Sequence, residues 1–151
     1  MNYAISNNQY RPNYTASKFS NIKRGLKEYF FGYPKRISYT AKHKKAFLKV
    51  EKELTGKNTL SGYFHDLGKL IAYILGVPKN LAHKIHVATA SHHVRNGKVK
   101  KPVQAIIDWE CARYTKLDKP LSARKFYESY YVENQGIRIP EIEKALKQLG
   151  L

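Results

Sequence analysis

The chain has 151 residues, of which 42% are hydrophobic and 13% aromatic, so it is long and apolar enough for one globular domain and is not a disordered chain. Its formal net charge is +17, and residues 1–60 carry 13 Lys and Arg against 3 Asp and Glu. This charge favours anionic partners, either nucleic acid or a phosphorylated small molecule, although a solvated lysine-rich surface explains it equally well. A single cysteine, Cys111, excludes an internal disulfide and favours a reducing compartment.

The first 20 residues contain no apolar signal core, and no apolar run approaches the ~20 residues that span a bilayer. We therefore expect a cytoplasmic protein without a membrane segment, whose oligomeric state the sequence leaves open. Residues 1–19, rich in Asn, Ser and Tyr, predict an extended arm, and residues 20–151 predict a single all-helical domain.

The first predicted helix covers residues 21–31 and is expected to end at Gly32-Tyr33-Pro34. Its apolar side chains share one face at helical spacing: Ile22, Leu26, Tyr29 and Phe30. A second helix is predicted from Tyr39 or Thr40 to Leu54, and His43 lies on its apolar side.

A loop follows at residues 56–62, and the next predicted helix carries His65-Asp66 and ends at Gly76. Asn80 is a suitable N-cap for a helix from Leu81 to about Ser91, which carries His83 and His86 and leads into His92-His93. Residues 94–101 predict a basic loop with a turn at Asn96-Gly97.

Pro102 predicts the first turn of a helix that runs to Tyr114 and holds Asp108 in its most apolar part. Because Asp is unfavourable inside a helix, Asp108 must have a partner or bind something. Ser122 is expected to cap a helix through Tyr131, and Pro140 opens the last helix. Without period-two alternation, repeats or a phosphate-binding glycine loop, the sequence predicts an all-α bundle of six or seven helices.

Four metal-ligand side chains fall on or beside apolar faces of three predicted helices: His43, His65, Asp66 and Asp108. Two nitrogen and two oxygen ligands, with positions left for water and substrate, suit a catalytic transition metal such as Mn, Fe, Zn, Co or Ni. Three further histidines are candidates for a second ion: His86, His92 and His93. The alternative is a bundle with hydrogen-bonded core histidines.

This pattern resembles the HD superfamily of metal-dependent phosphohydrolases, whose signature is a His, then His-Asp, then a later Asp on a helical bundle. The resemblance covers roughly Tyr39 to Tyr114, through Thr40-Ala41-Lys42-His43-Lys44, His65-Asp66-Leu67-Gly68-Lys69 and Ile107-Asp108. His92-His93 is similar to the double histidine of the binuclear branch that includes the HD-GYP phosphodiesterases.

More narrowly, Ile106 to Lys116, followed by Asp118-Lys119-Pro120-Leu121, resembles an uncharacterised HD-like family of bacteria and phages. Gly32-Tyr33-Pro34 precedes the motif here, whereas HD-GYP domains carry theirs after the double histidine, and Asp66 to Asp108 is a short spacing. These departures speak against a transfer of the cyclic-dinucleotide activity.

The resemblance implies a phosphohydrolase of a nucleotide, a cyclic nucleotide or a nucleic-acid phosphate ester, with Asp66 and Lys69 as catalytic residues. Lys69 is expected to meet substrate phosphate, or alternatively to pair with Asp66. The basic side chains beside the double histidine are further phosphate-binding candidates: Arg95, Lys98, Lys100 and Lys101. The alternative function is a basic nucleic-acid-binding protein with a structural or vestigial metal site.

Overall fold

A computed structural model describes Lys27, residues 32–115 and residues 122–151. The helices in these ranges are α1 (Tyr33–Thr55), α2 (Leu60–Tyr63), α3 (Leu67–Ile74), α4 (Lys79–Thr89), α5 (Pro102–Thr115), α6 (Ala123–Tyr127) and α7 (Pro140–Gln148). The described residues contain no β-strand, which confirms the all-α fold class. None of their helices is both long and apolar enough to cross a bilayer.

The helix α1 begins at Tyr33, six or seven residues earlier than predicted, so reading Gly32-Tyr33-Pro34 as a helix end was wrong for Tyr33 and Pro34. Pro34 lies in the first turn of α1, where the missing amide hydrogen costs nothing and the fixed φ favours the helix. The helix ends as predicted, because Gly56 adopts a left-handed conformation with φ 78° and its amide donates to the Lys52 carbonyl. The predicted arm and first helix lie outside the described residues, except for Lys27.

The helix α5 lies between two hydrophobic clusters. One side packs against α1, where Ile107 and Cys111 meet Phe47 and Val50. The other side joins the cluster formed with α6 and α7, whose buried members are Ala105, Ile106, Ala123, Tyr127, Ile139, Ile142, Ala145 and Leu146. Because α5 is surrounded by other elements, its polar Asp108 is held next to α1 and not out in solvent.

The C-terminal helices follow the predicted signals with one difference. The Ser122 side chain caps α6 by accepting from the Lys125 amide, and Pro140 starts α7. However, α6 continues as a π-helical segment over Glu128–Glu133, which shifts the register of the following side chains. The Tyr127 hydroxyl, at the end of α6, accepts a hydrogen bond from the Ile139 amide at 2.7 Å and so links α6 to the start of α7.

The connection between α4 and α5 contains the predicted turn, with Asn96 and Gly97 both at positive φ. The helix α4 covers Lys79–Thr89 and not residues 81–91, with Pro78 and not Asn80 as its N-cap. His92 and His93 therefore lie in the turn after α4. The Arg95 guanidinium donates to the carbonyls of Val87 and Ala90, and so satisfies the C-terminal end of that helix.

Candidate metal centre

His43 is held by α1 against α5. Its Nε2 lies 2.8 Å from Oδ1 of Asp108, and its side chain is buried. The Cys111 thiol donates to the Asp108 carbonyl at 3.2 Å and also contacts the His43 ring. The helix pair α1–α5 therefore brings together two residues that are 65 positions apart in the chain.

His65 and Asp66 do not lie on a helix, which corrects the prediction. They form a turn between α2 and α3, and Asp66 adopts a left-handed conformation with φ 55° and ψ 9° as the N-cap of α3. Asp is one of the few residues with a side chain that tolerates this region. The turn points both side chains inward, and both are buried.

A buried carboxylate on α1 stabilises the segment that leads into this turn. Glu51 accepts hydrogen bonds from the amide and the hydroxyl of Thr59, at 3.1 Å and 2.7 Å. The Thr59 hydroxyl in turn caps α2 by accepting from the Gly62 amide at 3.0 Å. A Cβ at Gly62 would overlap the carboxylate of Glu51, so alanine there would force this hydrogen-bonded carboxylate to move.

Three further histidines, His86, His92 and His93, extend the site. His86 on α4 forms a group with His92 and His93, His43 forms a second group with His65 and Asp108, and His65, Asp66 and His92 form a third that joins them. Within each group, one potential ligand atom per residue lies within 4.8 Å of the others. Asp66 stands between the groups, since its Oδ1 is 2.9 Å from Nε2 of His86 and 3.7 Å from Nε2 of His65. The structure thus contains His and Asp groups that could hold one metal ion or two.

Several of these atoms are buried without satisfying a hydrogen bond. Within the described part of the chain, Nε2 of His92 and Nε2 of His93 have no hydrogen-bond partner. Nε2 of His65 and Oδ1 of Asp66 lie 3.3 Å from Oδ1 of Asp108 and 2.9 Å from Nε2 of His86, respectively, but neither contact is a well-aligned hydrogen bond. Buried polar atoms are normally paired because an unpaired one costs about 1–3 kcal/mol. Two unpartnered imidazole nitrogens beside these contacts form a cluster of N and O donors that fits a divalent transition metal.

The surroundings favour the deprotonated form of the two carboxylates and of His92 and His93. Burial raises the pKa of Asp66, but His86, together with the charges of His65 and Lys69, outweighs it and holds the pKa well below its usual value. The pKa of Asp108 is likewise lowered against the effect of burial, by hydrogen bonds from the site's histidines. Burial lowers the pKa of His92 to about 3 and of His93 to about 4. Anionic carboxylates and neutral imidazoles are the forms that bind metal.

The cluster forms one side of a cavity of about 550 Å³. Lys69 lines the cavity with its Nζ 3.5 Å from Oδ2 of Asp66, so the alternative of a pair with Asp66 is present in the structure. Arg95, Lys98 and Lys100 are exposed and are not among the lining residues. Their predicted contact with substrate phosphate therefore finds no support in the geometry, and Arg95 has the structural role described above.

Aromatic side chains form another part of the cavity wall: Tyr39, Trp109, Phe126, Tyr130 and Tyr131. The rings of Trp109 and Phe126 are 5.1 Å apart, and those of Phe126 and Tyr130 are 5.4 Å apart and stacked. Sequence reasoning missed this aromatic wall, because helical spacing made Phe126 and Tyr130 look like core residues. The position of Trp109 directly after Asp108 was the one available signal.

No protein-family model matches the chain, and comparisons with curated proteins and with solved structures gave no significant match.

Proposed function

We propose that the protein is a metal-dependent phosphohydrolase of the HD type that acts on a nucleotide, a cyclic nucleotide or a nucleic-acid phosphate ester. One observation carries the proposal: five candidate ligands, His43, Asp66, His86, His93 and Asp108, line one cavity of substrate size, and the buried Nε2 atoms of His92 and His93 have no hydrogen-bond partner among the described residues. A core of hydrogen-bonded histidines, which is the alternative, would not leave these two nitrogens without partners.

Bound ions would supply an activated water nucleophile and would offset the charge that develops on the phosphoryl group. The residues of the chain prepare for this chemistry. Asp66 contributes a carboxylate that faces both ligand groups, and its low pKa keeps it ionised at neutral pH. His43 and Asp108 hold each other in place across the α1–α5 interface.

Lys69 is the cavity cation closest to this carboxylate. It lies one helical turn after Asp66, and its side chain is 20% exposed, so its ammonium group is accessible from the cavity. A phosphate that enters beside Asp66 would bring its negative oxygens next to this charge. We assign Lys69 to binding the phosphate and to stabilising the transition state.

The aromatic wall supports a nucleoside as the remainder of the substrate. A nucleobase stacks on aromatic rings with about 1–3 kcal/mol per base, whichever base it is. The cavity volume of about 550 Å³ lies in the range of ligand sites in proteins. Lys69 beside the candidate metal ligands and the aromatic rings in the same cavity therefore match the two parts of a nucleoside phosphate.

The test begins with metal analysis of protein purified without added metal, followed by a screen of mononucleotides, cyclic nucleotides and 5′-phosphorylated oligonucleotides. Wild type should release phosphate or open an ester in a chelator-sensitive manner. Asp66→Asn should lose the activity by orders of magnitude, since both ligand groups lose a shared anion. Glu141→Gln, which removes an exposed carboxylate from α7, is the matched control and should retain the activity. Equal hydrolysis by wild type and Asp66→Asn, unaffected by chelator, would end the proposal.

A second candidate function is nucleic-acid binding, and the surface of α1 favours it. Five lysines of this helix are exposed: Lys35, Lys42, Lys45, Lys49 and Lys52. The helix has two carboxylates, and one of them, Glu51, is buried, which leaves Glu53 beside Lys49 at 3.8 Å. This excess of exposed cations over exposed carboxylates attracts a phosphate backbone.

A further inference from the structure

Large apolar side chains are exposed on three successive helices. The described chain exposes ten large hydrophobic residues, and eight of them belong to residues 60–85: Leu60, Tyr63, Phe64, Ile71, Ile74, Leu75, Leu81 and Ile85. Within α2, α3 and α4 and their C-caps, these residues follow i, i+3 or i+4 spacing, so each helix carries them as a row along one side. Apolar surface of this kind marks a site of interaction.

The rows on α3 and α4 point away from the cavity of the candidate centre. We call these five exposed residues the outer apolar face: Ile71, Ile74, Leu75, Leu81 and Ile85. On the same two helices the cavity is lined by other residues, among them Lys69, His83 and His86. At about 100° per residue, these lining positions lie on roughly the opposite side of each helix. Because α3 and α4 also contact each other, their two rows are neighbouring parts of one surface, and a partner bound there leaves the cavity accessible.

The part of the chain that carries this face has cations and no acids. Residues 67–107 contain neither Asp nor Glu, but they contain seven basic residues: Lys69, Lys79, Lys84, Arg95, Lys98, Lys100 and Lys101. All of these except Lys69 are exposed, and two of them, Lys79 and Lys84, lie on α4 itself. The surface that complements this region is therefore anionic as well as apolar.

A bilayer with anionic lipids combines these two properties. Nucleic acid offers phosphates but no apolar layer, and a partner helix docks into a groove. The face instead protrudes, since Ile74 is 61% exposed and Leu75 is 74% exposed. Protruding apolar side chains insert between lipid headgroups, while neighbouring lysines pair with the anionic ones. We propose that the outer apolar face binds the protein peripherally to the surface of an anionic bilayer, a contact that needs no membrane-spanning helix.

The test uses the full-length chain and vesicles of phosphatidylcholine with or without phosphatidylglycerol, which is anionic. A polarity-sensitive fluorophore is attached to an introduced thiol. Ile71→Cys places it in the outer apolar face, and Tyr114→Cys on α5 is the matched control, because both native side chains are 46% exposed. Cys111 is fully buried and contributes little background labelling. Anionic vesicles should shift the emission at Ile71→Cys to the blue and leave that at Tyr114→Cys unchanged, since only the first position enters the apolar layer.

Two further variants separate apolar insertion from charge attraction. Ile74→Ser/Leu75→Ser keeps the net charge but removes apolar area from the face, so it should weaken binding to the anionic vesicles about tenfold. Tyr114→Ser, which removes an exposed ring elsewhere, should bind like wild type, and circular dichroism checks that both variants are folded. Equal binding of the two variants would overturn the proposal, because attraction of the net charge alone would then explain it.

Two other results identify a different occupant of the face. The absence of a blue shift at Ile71→Cys with anionic vesicles would overturn the proposal in favour of an acidic protein surface. A blue shift that grows with protein concentration in the absence of vesicles would overturn it in favour of a second copy of the chain.

Discussion

Asp66 serves the candidate centre with both its backbone and its side chain. Its left-handed φ of 55° turns the chain from α2 into α3, and its carboxylate contacts His86 and Lys69. In the left-handed region, Asn and Asp are tolerated better than alanine, which lacks a short polar group to bond locally. The residue is therefore constrained twice, once by conformation and once by charge.

This double constraint predicts a difference between two substitutions. Asp66→Asn and Asp66→Ala should both lose metal, but in chelator Asp66→Ala should be less stable than Asp66→Asn by about 1 kcal/mol, because alanine disfavours positive φ. Urea unfolding of both variants measures the difference. Asn96→Ala, at φ 50° in the turn after α4, is the control: it should show a similar backbone loss while metal binding stays intact. Equal stability of the two Asp66 variants would contradict the role of the backbone.

The buried histidines predict how stability depends on pH in the metal-free protein. Burial lowers the pKa of His92 to about 3 and of His93 to about 4, against an unfolded value near 6.5, so the unfolded chain takes up protons first as pH falls. The contribution of these two neutral histidines to the free energy of unfolding is complete above pH ~6.5. It declines as pH falls toward ~4, by a few kcal/mol at most.

Urea midpoints of chelated protein at pH 7, 6, 5 and 4 should therefore fall with pH. The variant His92→Gln/His93→Gln should show a shallower fall over this window. Protonation of Asp66 and Asp108 also lowers the stability, but at lower pH. Their lowered pKa values favour the folded state only while the groups are ionised. An identical pH slope in wild type and the double variant would contradict the assigned cause.

At the level of elements, the short helix α2 depends on a buried acid of a neighbouring helix. Glu51 of α1 accepts from Thr59, and Thr59 caps the helix that leads into His65-Asp66. The same carboxylate occupies the space where Gly62 has no side chain. The position of the turn with His65 and Asp66 is therefore influenced by α1 as well as by its own sequence.

Gly62→Ala should accordingly destabilise the protein by about 2 kcal/mol or more, since overpacking against a buried carboxylate displaces either the acid or the turn. Metal affinity should fall as well, because His65 and Asp66 follow the displaced turn. Gly68→Ala is the matched control: a Cβ there meets no atom within 4 Å, and alanine is the better helix former by up to ~1 kcal/mol. Thermal unfolding with and without added Mn²⁺ or Zn²⁺ measures both effects. Similar behaviour of the two alanine variants would exclude the proposed support by Glu51.

On the scale of the whole molecule, the net charge of +17 attracts either kind of anionic partner, so the salt dependence of binding tests the second candidate function. Nucleic-acid binding through α1 should weaken steeply with salt, with a slope of about 0.7–0.9 in log affinity per phosphate contact. Lys42→Glu/Lys45→Glu should weaken binding and reduce this slope. Lys144→Glu/Lys147→Glu changes the net charge equally at exposed positions of α7 and should have the smaller effect. Fluorescence anisotropy with a labelled single-stranded oligonucleotide, at salt concentrations from roughly 50 to 300 mM, measures the affinity and its salt slope for both double variants. Binding that is independent of salt, or equally sensitive to the two pairs, would argue against α1 as the interface.

Local signals by themselves determined the helical class and the choice of candidate ligands. Helical spacing, the cap at Ser122, the prolines at 102 and 140 and the turn at Asn96-Gly97 act within a few residues, so they can be read without knowing what each helix meets. In the same way, His43 could be assigned to the buried side of its helix. The start of α1 was missed because Pro34 suits a helix start as well as a helix end.

Only the tertiary structure decided what those faces meet. Periodicity shows that Asp108 lies in an apolar stretch, but the packing of α5 on α1 places it 2.8 Å from His43. Glu51, fifteen positions before Asp66 and on another helix, holds Thr59 at the start of the helix that leads into Asp66. Tyr130 and Tyr131 of the aromatic wall lie in a π-helical segment that no local pattern indicated. These features arise from contacts between distant parts of the chain, and such contacts exist only after the helices have packed.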